Sequence, residues 1–169
     1  NVLLSSMQPQ QIIQTLRMAL STVPDAVGVN NHMGSRLTQL TLPMSVTMGF
    51  LSEQGLFFVD SRTTKYSKAE IIAKKNGVLS AKRNVFIDHT PSPEQIDKQF
   101  QRLLRLSKKY GFAVGIAHPY PQTLKYLKVN LDTLQQHGIE LVKLSEVLSS
   151  GTAYVYHPKV KSLPISADF

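Results

Sequence analysis

Four times along the chain a short apolar run ends in a cluster of polar and titratable residues, and helical spacing separates one run from the next. Ala26–Val29 leads into Asn30-Asn31-His32, and Leu56–Val59 into Asp60-Ser61-Arg62. Val85–Ile87 leads into Asp88-His89-Thr90, and Phe112–Ala117 into His118-Pro119-Tyr120. Runs this short, rich in branched and aromatic residues, read as strands buried on both faces. Strands alternating with helices form βαβ units, and these imply a parallel sheet or barrel. In such folds the carboxyl ends of the strands share one rim. Asn31 and His32, Asp60 and Arg62, Asp88 and His89, and His118 are therefore expected to converge there.

The intervening segments carry helix punctuation. Pro9–Thr22 has Ile12, Ile13, Leu16 and Leu20 at helical spacing, and Pro24 follows it. A helix is expected over Leu37–Gln54, with Pro43 predicting a kink or a late start, and Gly55 stopping it. Ser67 and Glu70 suggest a capping box for a helix that runs to Lys75 and stops at Gly77. Ser92, Pro93 and Glu94 open a long helix that Gly111 ends. Pro121 to His137 reads as another, stopped by Gly138. Ile139–Val142 is expected to be a final strand. Residues 1–150 thus form one domain, and 151–169 read as an extension or tail, with Ala153–Tyr156 as an added edge strand.

The length of 169 residues suits one domain with a real core, and a hydrophobic fraction of 42% is globular. No apolar run is long enough to span a membrane. The first residues, Asn1-Val2-Leu3-Leu4, read as a trimmed or truncated terminus. The absence of cysteine excludes disulfides and thiolate metal sites. A net charge of +8 favours anionic surroundings such as acidic glycan, phospholipid or nucleic acid. Lys98, Arg102, Arg105, Lys108 and Lys109, however, punctuate one amphipathic pattern without interleaved aromatics. They read as a solvated helix face, not a nucleic-acid surface.

Histidines and carboxylates on one rim make a site for a divalent ion such as zinc. A water held there would have a lowered pKa, an aspartate would take its proton, and an arginine or histidine would stabilise the oxyanion or protonate the leaving group. The reaction would be hydrolysis of an amide or ester. No HExxH, GxSxG, phosphate-loop or dinucleotide motif is present.

Four stretches, in order, carry a family resemblance. They are Val27-Gly28-Val29-Asn30-Asn31-His32-Met33-Gly34-Ser35, Leu56-Phe57-Phe58-Val59-Asp60-Ser61-Arg62-Thr63, Arg83-Asn84-Val85-Phe86-Ile87-Asp88 and Gly115-Ile116-Ala117-His118-Pro119-Tyr120-Pro121. Together they resemble the divergent polysaccharide deacetylases, over roughly Pro9 to Val147. The resemblance implies a distorted (β/α) barrel with fewer than eight parallel strands. It implies metal-dependent removal of acetyl groups from an envelope polysaccharide or peptidoglycan-like glycan, in an exported, periplasmic protein. By position, His32 resembles the family's metal-binding histidine and Arg62 the arginine of its third motif. Asp88 resembles the acidic residue of the fourth motif. His118 resembles the final histidine, a general acid in typical members and a candidate metal ligand here. Asp60 has no firm counterpart and is a ligand or base candidate.

Two departures follow. Typical members place a second histidine four residues after the first, where this chain has Arg36. They also open on a strand that ends in paired aspartates, whereas the only acid ahead of His32 is Asp25. Either that strand belongs to a larger domain, or the protein lacks the usual base and binds glycan without catalysis. A basic protein held on anionic lipid or glycan by charge alone is a third reading, and it predicts no metal.

Overall fold

A computed structural model describes residues 2–150. The tail 151–169, including the edge strand expected at Ala153–Tyr156, lies outside the described residues. The elements in order are α1 (Pro9–Ser21), β1 (Gly28–Asn30), α2 (Thr41–Glu53), β2 (Phe57–Asp60), α3 (Ala69–Lys75), β3 (Ser80–Lys82), β4 (Val85–Phe86), α4 (Pro93–Tyr110), β5 (Gly115–Ile116), α5 (Pro121–Asn130) and α6 (Leu144–Ser149). Short 3-10 segments cover Leu37–Gln39 and Leu131–His137.

All strand pairs are parallel. β1 pairs with β2 and β2 with β3, in register Val29–Phe58 and Val59–Ala81. β4 pairs with β5, with Val85 opposite Gly115. β3 and β4 are two halves of one bent strand. The Arg83 N–H still donates to Asp60 O at 2.9 Å, and the next N–H, of Asn84, donates to Val114 O at 2.8 Å. The Asn84 side chain secures the turnover by accepting from Val114 N at 2.7 Å. The strands therefore follow one another in chain order around a curve, are fewer than eight, and do not close into a barrel among the described residues.

The main core lies between the first sheet and α1, α2 and α3. Ile12, Met44, Met48 and Leu51 are almost fully buried there, each contributing roughly 1.5–3 kcal/mol. A smaller core joins Val85, Ile87 and Ile96, and α4 meets α5 and the second 3-10 segment at Phe100, Leu104 and Leu134.

Several expectations need correction. Of the kink or late start expected at Pro43, the late start is the outcome, because Leu40 is extended at φ −92°, ψ 125° and the helix begins at Thr41 rather than Leu37. Pro43 then sits in the first turn of α2, where its missing N–H costs nothing, and no kink is needed. Ser67 does not cap α3. Its Oγ accepts from Ala69 N at 3.3 Å, the cap position is Lys68, and Glu70 pairs with Lys82 Nζ at 3.0 Å. Ile139–Val142 is not a strand. Ile139 N–H donates to Leu134 O, Leu141 is 71% exposed, and a groove of about 520 Å³ opens between this segment and Phe112–Ala113. The helix expected to His137 becomes 3-10 after Asn130.

Candidate functional site

The carboxyl ends of β1, β2, β4 and β5 surround a cleft of about 430 Å³. Asn31, His32, Arg62, Arg83, His89 and His118 are among the residues that line it. This volume falls within the roughly 300–1,000 Å³ usual for small-molecule sites.

The loops after β1 and β2 are stitched together. Ser61 N–H donates to Asn31 Oδ1 at 2.8 Å, Asn30 Nδ2 donates to Ser61 Oγ at 3.3 Å, and Thr63 Oγ1 donates to Met33 O at 3.1 Å. Within this knot Met33 and Arg62 adopt left-handed backbone, at φ 58° and φ 50°. That conformation is uncommon for side-chain-bearing residues and gathers at functional sites. Asp60 explains how Arg62 holds it: Asp60 Oδ1 accepts from Arg62 N at 2.8 Å. Asp60 is fully buried, its Oδ2 has no hydrogen-bond partner, and it does not line the cleft.

Across the cleft, Asp88 fixes His118. Asp88 is buried, and its Oδ2 accepts from His118 N at 2.7 Å and from Thr123 Oγ1 at 3.0 Å. Its Oδ1 lies 3.1 Å from His118 Nδ1. A carboxylate only accepts, so Nδ1 carries the hydrogen and a neutral His118 presents Nε2 with its lone pair free. The His32 ring stands edge-on to His118, with centroids 6.0 Å apart. Phe86 and Tyr120 flank His118 at 5.3 Å and 4.9 Å.

Arg83 bridges the two halves. Its Nε donates to Ser61 O at 2.6 Å and its Nη2 to Arg62 O at 2.9 Å, while the guanidinium lies over Phe86 at 5.3 Å. Burial lowers its pKa from the ordinary value, Asp60 opposes that shift, and Arg62 and Arg102 add to it. An arginine so placed stays cationic.

The structure thus brings His32, Arg62 and His118 to one cleft, with Asp88 directly behind His118 and Asp60 beneath Arg62. Arg83 was not among the site residues expected from sequence, where it only heads the third of the four family-like stretches. Its place just ahead of a buried strand was the available signal. Thr123, the buried partner of Asp88, left none.

The donor types suit a divalent ion, since two imidazoles face each other and one has the carboxylate behind it that metal-bound histidines usually have. The number falls short. Among the described residues no three His, Cys, Asp or Glu are grouped so as to hold an ion, although His89 lines the same cleft, whereas catalytic zinc takes about three protein ligands.

The sequence profile of the divergent polysaccharide deacetylases matches residues 1–148. The chain belongs to this family. Among relatives of the deacetylase-like chain, the uncharacterized protein YibQ of Escherichia coli K12 is 34% identical over 164 residues, covering 97% of this chain and 51% of YibQ. An uncharacterized Haemophilus influenzae protein is 37% identical over 141 residues, covering 83% of this chain and 50% of that protein. The chain therefore spans about half the length of both. The crystal structure of the uncharacterized protein ATU2773 from Agrobacterium tumefaciens C58 superposes with a TM-score of 0.82. At 21% identity it covers 84% of this chain and 58% of that one, and it shows a shared fold. The chain thus has a distorted polysaccharide-deacetylase-like fold, with few parallel strands and no closed barrel among the described residues.

Proposed function

We propose that the protein hydrolyses acetyl groups from an envelope polysaccharide, outside the cytoplasm, with the cleft as its active site. The observation that carries this reading is the Asp88–His118 pair, which leaves His118 Nε2 free opposite His32 inside a donor-lined cleft of a deacetylase-family chain.

Each residue then has a task. Asp88 sets the tautomer and orientation of His118. His118 Nε2, unprotonated at rest, takes a proton from the attacking water and passes it to the leaving group, a role worth about 10²–10⁴-fold in rate. Arg62, held by Asp60, and Arg83 offer positive charge to developing negative charge. A divalent ion, zinc by donor type, would be held by His32 and His118, and His118 would then give up its proton role. Bound there, zinc would supply a water ionised near neutral pH. The two roles of His118 exclude each other, because Nδ1 is committed to Asp88 and Nε2 cannot both bind an ion and move a proton.

The test is acetate release from an acetylated glycan by the full-length protein, before and after chelation and after zinc is restored. The reading expects loss and recovery. Activity untouched by thorough chelation would remove the metal and leave His118 as the proton carrier. A second reading, glycan binding without hydrolysis, is favoured by the incomplete ligand set and by Arg36 in place of histidine. It expects binding without acetate release.

A further inference from the structure

We infer that the cleft takes a glycan carrying an oxyanion, a sugar carboxylate or a sugar phosphate, seated against Arg62 and Arg83. The inference rests on the proposed glycan site and specifies its substrate class. Among the described residues no carboxylate lines the cleft; its walls offer two guanidiniums, three imidazoles, and the side chains of Asn30, Asn31, Ser61 and Thr63. The two nearby acids face elsewhere. Asp88 is consumed by His118 and Thr123, and Asp60 lies buried with one oxygen on the Arg62 backbone. In formal charge they offset the two arginines, but they do so from behind, so the surface that meets a ligand is cationic.

The arginines are arranged for this. Arg83 has Nε and Nη2 committed to the carbonyls of Ser61 and Arg62, which fixes the guanidinium plane. Among the described residues its Nη1 donates no hydrogen bond. Arg62 makes one long side-chain contact, Nη2 to Lys65 O at 3.4 Å, so its fork is largely uncommitted. Both guanidiniums line the same cleft, and an oxyanion seated there would accept charge-assisted hydrogen bonds from them. The neutral part of a sugar ring would lie along Phe86 and Met33, two of the apolar members of the lining.

The test is calorimetric binding of three probes of matched length to the full-length protein, with acetate release followed in parallel. The probes are an acetylated oligouronate, its neutral methyl ester and an acetylated oligosaccharide bearing phosphate. One anionic probe should bind about tenfold or more tightly than the neutral one at low salt, the scale of a charge-assisted contact. The preference should shrink as salt rises. Whichever anionic probe wins assigns the source of the oxyanion. Arg62→Gln should bring the preference close to one; its side chain holds little else, so folding is expected to survive. Arg83→Gln should do the same, with Arg83→Lys retaining part of it. Equal binding of all probes, no binding of any, or a preference that survives both arginine changes would overturn the inference. Preference without acetate release would keep the oxyanion site and remove the hydrolytic reading, and acetate release without preference would do the reverse.

Discussion

Asp88 accepts three hydrogen bonds in a place that water does not reach. Asp88→Ala would strand the Thr123 hydroxyl and two His118 donors, and should cost about 2–4 kcal/mol in urea unfolding. Asp88→Asn keeps the shape but changes the chemistry. Its carboxamide NH₂ would donate to His118 Nδ1, driving the imidazole proton to Nε2. Nitrogen NMR of the imidazole should therefore find the proton on Nδ1 in the native protein and on Nε2 in the variant; the same tautomer in both would refute the orienting role. At this scale the sequence is informative where a titratable residue ends an apolar run, as His32, Asp88 and His118 do. It is silent on side-chain direction. Asp60 ends such a run too, yet turns inward to brace the backbone of Arg62, while Arg83, in an unremarkable basic pair, enters the cleft.

Between elements, close approach sets the tolerances. A Cβ on Gly28 would run into the Phe57 ring on the neighbouring strand β2. Gly28→Ala should therefore destabilise the fold by about 1–3 kcal/mol, read from the denaturation midpoint at unchanged slope. The α4–α5 contact carries a pH signature. Tyr126 on α5 donates to Asp97 on α4 at 2.6 Å. Burial, then the bond to and charge of Asp97, raise its pKa above the ordinary 10.0. The folded state thus keeps a proton that the unfolded state loses. The pair's contribution is complete below pH 10 and declines above it. Phenolate absorbance should show one late-ionising tyrosine that Tyr126→Phe removes. Helix punctuation and the apolar strands were readable because proline, glycine and branched residues act locally. β3 was not, since Ser80-Ala81-Lys82 carries no apolar signature and is a strand only because β2 lies beside it. Ile139–Val142 failed the other way: it has strand composition, but hydrogen-bonds back to the 3-10 segment.

Over the whole molecule, parallel strands in chain order place the polar strand ends around one cleft, and the bend at Arg83-Asn84 joins the two sheets that form its walls. The open parallel architecture was legible because helix and strand periods alternate; which strands pair, and where the order of pairing shifts, depends on contacts far apart in the chain. The proposed hydrolysis stands or falls with this cleft, and it is tested by the initial rate of acetate release from the full-length protein carrying His118→Ala, beside His137→Ala. His137 is exposed and ends the distant 3-10 segment, so it serves as the control. The account predicts a fall of about 10²-fold or more for His118→Ala and an unchanged rate for His137→Ala. Acetate release at the native rate from the His118→Ala protein would contradict it.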